Sequence, residues 1–481
     1  MRNDDGGNAM IDMSPEEFTR LGYQAIDMLA DQMRRDAERP VRQPVPDDIR
    51  ERLMHSPLPE TGASPDDILN AVEDMVLQYP MGNRSPRFFA WVNSPPAPLG
   101  ILAELLAAGH NASVAGGDHA ATYVEHGVLN WIKTIMRFPD ESGGILTSGG
   151  SMANLLPLAV MRSAKTIGGH MREWGIGAEL FPMMIYTSEQ GHSCIQKAVE
   201  LLGFGSDNLR KIPVDTDYRM DMAALKAQIA ADRDAGLQPV CVVASAGTVN
   251  TGAIDPLNAI ADLCAAENLW FHVDGAYGGF GILADQANTL YDGIERADSL
   301  AVDPHKWLYL PVECGCALVR NKQAMRDTFS LVPSYLRDDT ALPWFSEFGI
   351  QQTRGFKALK LWMVLQQIGV DGYRELITHD VAMARALQAK LQERPDFELV
   401  AAGPLSITCF RYAPDSTKDI DALNRRIPEI VQREGRAFLT GTELNGRPAL
   451  RACIVNFRTT EADLDILLDA VAAAGRRLAD T

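Results

Sequence analysis

Two apolar runs near the middle of the chain constrain its fold more than any other feature. One is Trp270-Phe271-His272-Val273-Asp274-Gly275-Ala276-Tyr277-Gly278-Gly279, and the other is Asp298-Ser299-Leu300-Ala301-Val302-Asp303-Pro304-His305-Lys306-Trp307. Each reads as an apolar strand that delivers polar groups at its carboxyl end: Asp274 from the first, His305 and Lys306 from the second. In open α/β sheets, ligands collect just beyond the carboxyl ends of the strands. The expected fold is therefore α/β, a mostly parallel sheet with helices on both faces. Residues 183–187 and 240–245 read as further strands of that sheet.

A carboxylate and a lysine presented side by side suit pyridoxal 5′-phosphate (PLP). The lysine amine forms a Schiff base, and the carboxylate keeps the pyridine nitrogen protonated so that the ring draws in electrons. A buried Asp274 is expensive unless a cation faces it, and a protonated pyridine is such a cation. Lys306 follows an apolar run and precedes Trp307-Leu308-Tyr309-Leu310, which argues burial. Burial and nearby positive charge are expected to depress its pKa and leave a nucleophilic amine. The bland readings are a turn cap for Asp274 and a surface charge for Lys306.

The run Gly143-Gly144-Ile145-Leu146-Thr147-Ser148-Gly149-Gly150-Ser151-Met152-Ala153-Asn154 opens a long helix. Glycines let backbone N–H groups approach an anion, and a helix N-terminus adds partial positive charge. Gly150 and Ser151 are therefore candidates to cradle a phosphate, with a plain loop as the alternative. No GxGxxG follows the strand, which disfavours a dinucleotide fold. His192 follows the strand at 183–187 and offers a flat imidazole for stacking, and Thr248 follows the strand at 240–245.

At the N-terminus, residues 1–10 read as disordered, and Ser14-Pro15-Glu16-Glu17 is a helix start. Ser14 is the N-cap, Pro15 takes the first helical position and Glu17 closes a capping box. Phe18, Leu21, Ala25, Met28 and Leu29 then share one face, and that face needs a partner. Helices are expected at 47–53, 99–108, 122–136, 356–367, 381–391 and 461–478. Strands at 406–412 and 450–456, with 436–442 between them, suggest a small C-terminal α/β lobe. The expected division is a helical segment 1–84, a large domain 85–370 and a small domain 371–481.

A chain of 481 residues exceeds one simple core. The net charge of −18 disfavours nucleic acid and anionic membrane as partners. No stretch approaches the ~20 apolar residues of a membrane span, and the first ten residues lack a signal peptide's apolar run. Seven scattered cysteines read as reduced thiols of a cytoplasmic protein, with no metal site among them.

The HVDGAYGG and DPHKW segments, in this order, resemble the PLP-dependent group II amino-acid decarboxylases, most closely their aromatic-L-amino-acid decarboxylase branch. The resemblance runs from about Ser85 to the C-terminus. It implies the aspartate-aminotransferase-like fold type I, acting as a homodimer with N-terminal helices packed on the second subunit. It also implies decarboxylation of an L-amino acid, foremost an aromatic one, to the amine and carbon dioxide. In that scheme Lys306 carries PLP, Asp274 holds the ring nitrogen, and His192 stacks on the ring. Gly150 and Ser151 hold the phosphate, while Thr248 and His305 add contacts.

Tyr335, within Leu331-Val332-Pro333-Ser334-Tyr335-Leu336, matches the tyrosine of a loop that closes over the site and returns a proton to the substrate α-carbon. Related aldehyde-forming enzymes carry phenylalanine there, so Tyr335 favours an amine product. Arg354 matches a structural arginine. Asp303 stands where several relatives carry asparagine and receives no role. The polar Asn93, Asn111, Ser113 and His119 leave a smaller or more polar substrate open. The alternatives are oxidative decarboxylation to an aldehyde, transamination, or a non-catalytic binding protein on the same scaffold.

Overall fold

The computed structural model describes residues 11–166, 170–179, 181–331 and 342–479. The large sheet has seven strands: β1 Gly143–Thr147, β2 Met183–Ser188, β3 Leu209–Ile212, β4 Gln238–Ser245, β5 Trp270–Gly275, β6 Ser299–Val302 and β7 Gly315–Val319. Their order is β1-β7-β6-β5-β4-β2-β3. β7 runs antiparallel to both neighbours, and the remaining pairings are parallel. β1, β2, β5, β6 and β7 are buried along their whole length, as strands covered on both faces must be. Helix Gly150–Lys165 packs over β5, β6 and β7, and helix Leu257–Glu267 packs against β4 and β5.

A second sheet is antiparallel throughout: β8 Phe397–Ala402, β9 Ile407–Tyr412, β10 Thr440–Leu444 and β11 Arg447–Cys453, in the order β10-β11-β9-β8. Helices Ile420–Glu434 and Glu461–Ala479 pack on it around a separate apolar cluster that includes Leu387, Phe410, Ile427, Leu450 and Leu468. The strand expected at 450–456 begins earlier, at Arg447, because Asn445 and Gly446 form the turn before it. Both have positive φ, 52° and 73°, the conformation a two-residue hairpin favours. The two helices expected at 356–367 and 381–391 form one run, Ala358–Gln392, broken at a single residue. That residue is Gly369, whose φ of 70° and ψ of 169° suit glycine alone.

The N-terminal helix Pro15–Arg35 starts as expected, with Ser14 Oγ accepting from the Glu17 N–H at 3.2 Å. Glu17 turns its carboxylate to Arg20 instead of back to the cap. Of the expected face, Leu21 and Met28 are buried, while Phe18 is 61% exposed. Tyr335 and residues 1–10 lie outside the described residues.

Candidate active site

Beyond the carboxyl ends of β4, β5 and β6 lies a cavity of about 660 Å³. Its wall includes every described residue proposed from sequence as catalytic or cofactor-binding: Gly150, Ser151, His192, Thr248, Asp274, His305 and Lys306. Asn93 also lines it, whereas Asn111, Ser113 and His119 do not. β5 and β6 are adjacent parallel strands in the register Asp274↔Ala301. That pairing brings the ends of the two apolar runs to the same rim.

Asp274 is 7% exposed, and its Oδ1 accepts the Ala276 N–H at 3.0 Å. Lys306 sits in the short helix Pro304–Trp307, and its Nζ lies 3.0 Å from Asp303 Oδ2. The amine does not follow the expected depression. Burial pulls it down most, but the Asp303 carboxylate, with Asp274 beside it, outweighs burial and holds it above the ordinary lysine range. Behind this helix, Trp307 Nε1 and Tyr309 Oη both donate to Asp380, at 2.9 and 2.7 Å, and Tyr373 Oη donates to the Leu308 carbonyl. The segment carrying the amine is thereby pinned to the long helix Ala358–Gln392.

Helix Gly150–Lys165 opens into the cavity with no capping side chain, so its first N–H groups lack the partners a helix N-terminus requires. Gly149, at φ 144°, sets the entry of the chain in a region closed to other residues. A buried relay steadies this end. Trp270 Nε1 donates to Ser299 Oγ at 2.8 Å, and Ser299 pairs with His272 Nδ1 at 2.8 Å. His272 Nε2 pairs with Asn154 Oδ1 at 2.7 Å, and Asn154 Nδ2 donates to the Gly150 carbonyl at 2.8 Å. Asn154 Oδ1 can only accept, so Nε2–H donates to it, and in the neutral ring Nδ1 is left to accept the Ser299 hydroxyl; the network itself assigns this tautomer. Burial pushes His272 down to about 4, so the imidazole is neutral as the relay demands.

His192 caps helix Ser193–Leu201, its Nδ1 accepting the Cys194 N–H at 3.1 Å, and burial lowers its pKa. Thr248 reaches the cavity, but its hydroxyl is engaged with Thr251 Oγ1 at 2.9 Å and accepts the Ala253 N–H at 3.1 Å. His305 Nδ1 lies 2.8 Å from the Cys314 carbonyl, and its ring edge faces Gly149. Arg354 is buried in the structural role expected, donating to Val114 O, Leu146 O and Glu125 Oε1 at 2.8, 2.6 and 2.5 Å.

Two charged cavity residues, Asp303 and Arg451, were given no role in the sequence reading. Asp303 stands at i−3 from Lys306, a spacing that could have flagged it. Arg451 comes from β11 and donates to Val249 O at 2.8 Å and Trp91 O at 3.0 Å, and its buried Nη2 has no hydrogen-bond partner among the described residues. No local pattern points to it.

An uncapped helix N-terminus, a carboxylate and an amine in one cavity fit the phosphate, ring nitrogen and aldehyde of PLP. Residues 46–413 match the model of the pyridoxal-dependent decarboxylase conserved domain. The chain is 37% identical to an aromatic-L-amino-acid decarboxylase of Bacillus atrophaeus over 94% of each. It is 28% identical to an Arabidopsis thaliana phenylacetaldehyde synthase over 93% of this chain and 94% of the other. The crystal structure of Oryza sativa TDC with PLP and tryptamine superposes with a TM-score of 0.90 at 29% identity, covering 97% of this chain and 99% of that one. The chain belongs to the pyridoxal-dependent decarboxylases: it is a PLP-dependent amino-acid decarboxylase of fold type I.

Proposed function

We propose that the enzyme converts an aromatic L-amino acid to its amine and carbon dioxide, with Lys306, Asp274, His192 and Tyr335 as its catalytic residues. The observation that carries this reading is the joint presence of Lys306, Asp274 and an uncapped helix N-terminus on one cavity. PLP supplies an electron sink for the pair left behind when the carboxylate departs. Lys306 Nζ anchors the cofactor between turnovers. Asp274 keeps a proton on the ring nitrogen. The backbone N–H groups of Gly150 and Ser151 hold the phosphate, with His305 beside Gly149 and Thr248 on the adjoining wall. His192, neutral and fixed through Nδ1, presents a ring face for stacking. Arg451 Nη2 orients the substrate, and Tyr335 returns a proton to the α-carbon. Preorganised charge and orientation supply most of the acceleration.

The aromatic preference is supported by the Bacillus relative, by the likeness to the Oryza sativa structure with PLP and tryptamine, and by Trp91 and Val92 on the cavity wall. A homodimer is supported by apolar side chains left exposed on this chain, among them Phe18, Tyr23 and Ile26 near the N-terminus and Leu102, Leu105 and Leu106 on helix Pro98–His110. Division into 1–84, 85–370 and 371–481 is supported by the second apolar cluster and by the break at Gly369. A cytoplasmic location is supported by seven unpaired, buried cysteines.

Mass spectrometry of products from a panel of aromatic L-amino acids tests the reading. The expected result is amine and carbon dioxide in equal amounts. Aldehyde with peroxide would support oxidative decarboxylation instead, the reading that the similarity to the Arabidopsis synthase favours. Absence of product from every aromatic substrate would sink the proposed specificity.

A further inference from the structure

Asp303 lies where the lysine meets the phosphate cradle. Its side chain is 1% exposed, and Oδ2 is 3.0 Å from Lys306 Nζ. A Cβ on Gly150, the first residue of the cradle helix, would stand 2.7 Å from Oδ2, and one on Gly315 would stand 2.8 Å from Oδ1. Two glycines therefore leave the room that this carboxylate fills. Apart from the Lys306 ammonium, no donor among the described residues reaches either oxygen. The other titratable groups that face the pair are His192, His305, Asp274 and the thiols of Cys194, Cys314 and Cys316. Burial keeps both imidazoles and all three thiols neutral, so Lys306 is the cation of the set.

A carboxylate beside a helix N-terminus that accepts a phosphate sets two anions against each other. The ammonium of Lys306 offsets this, yet the amine must lose a proton to become a nucleophile. We propose that this opposition couples the cradle to the lysine: Asp303 makes phosphate binding depend on the Lys306 ammonium that offsets it, so that losing the lysine charge leaves the carboxylate to oppose the phosphate. The inference rests on the assignment of Lys306 and of the Gly150–Ser151 cradle above.

The test uses full-length protein freed of cofactor and the probe pyridoxine 5′-phosphate, which has the phosphate but no aldehyde. Its affinity is measured for wild type, Asp303→Asn, Lys306→Met and the double variant, each checked for folding by circular dichroism. Lys306→Met strands the carboxylate and is expected to weaken binding about tenfold at pH 8. Adding Asp303→Asn is expected to restore it. Lowering the pH should strengthen binding to Lys306→Met relative to the double variant, and pyridoxine without phosphate should show neither effect. Asp303→Asn alone removes the opposing charge and should bind at least as tightly as wild type, a check that does not need the lysine variant. Equal affinities of Lys306→Met and the double variant at every pH would overturn the inference, as would a large loss in Asp303→Asn alone. Failure of wild type to bind the probe would instead overturn the cradle assignment beneath it.

Discussion

Replacing His272 with phenylalanine separates the relay behind the cradle from the chemistry in front of it. Phenylalanine fills nearly the same space, so the cavity contribution is small. It leaves the Ser299 hydroxyl without an acceptor and Asn154 Oδ1 without a donor, both buried. Each orphan costs about 1–3 kcal/mol, so the variant should lose about 2–6 kcal/mol at pH 7.5. A second magnitude comes from pH. Burial holds the His272 imidazole near 4, while in the unfolded chain it titrates near ~6.5. Between those values the unfolded state binds a proton that the native state does not, so native stability falls as pH falls. By pH 5 this amounts to about 2 kcal/mol for wild type, from ~1.5 pH units at ~1.4 kcal/mol each. The variant lacks the group, so the gap between the two proteins should shrink by about that amount from pH 7.5 to 5. Urea unfolding of both proteins, cofactor-free, at the two pH values measures it. The variant should also bind PLP more weakly, because Asn154 no longer holds the Gly150 carbonyl in place. A gap that stays constant or widens on acidification, with cofactor affinity unchanged, would refute the reasoning.

Asp274→Ala should retain PLP yet lose about 10²–10³ in kcat, read by steady-state rates alongside the cofactor's absorbance. Arg354→Met leaves Glu125 without its cation in the core, where burial already holds the carboxyl above its usual range, and should cost about 3–5 kcal/mol in denaturant titration, with Glu125→Gln/Arg354→Met recovering part of the loss. Gly150→Ala drives a Cβ to 2.7 Å from Asp303 Oδ2 and 3.0 Å from Ala276 Cβ. It should weaken PLP about tenfold in equilibrium dialysis while leaving the far-ultraviolet spectrum unchanged. Arg451→Met should raise KM for the amino acid more than it lowers kcat, since the guanidinium is assigned to substrate orientation and not to proton transfer.

What could be seen in advance follows the range of the interactions involved. Asp274 and Lys306 were legible as neighbours because one lies at the end of an apolar strand and the other follows the end of the next, and adjacent parallel strands place such ends together. The uncapped helix start at Gly150 was legible because its glycines sit between a strand and a helix. The relay through His272 was not, since Asn154 lies 118 residues from it in sequence and a histidine inside an apolar run has no local sign of its partners. Arg451 reaches the carbonyl of Trp91 across 360 residues, and periodicity carries no such information. The error over Lys306 had a different origin: burial was weighed, but the carboxylate three residues before it was assigned no role. The hairpin start at Arg447 and the break at Gly369 were written in Asn445-Gly446 and in one glycine, signals that apolar spacing alone passes over.

The two ends of the cavity differ in mechanical ancestry. The acid lies at the end of β5 and the amine on the short helix that follows its neighbour β6, whereas the guanidinium nitrogen without a partner among the described residues belongs to β11 of the second sheet. Arg451 is also a tie that binds this sheet to the opposite wall of the cavity, through the carbonyls of Val249 and Trp91. Any drift of the second sheet must therefore strain this side chain before it can disturb the electron sink. With Arg451 as the proposed substrate-orienting group, replacements around it on that sheet are expected to change which molecule is admitted while the reaction stays the same.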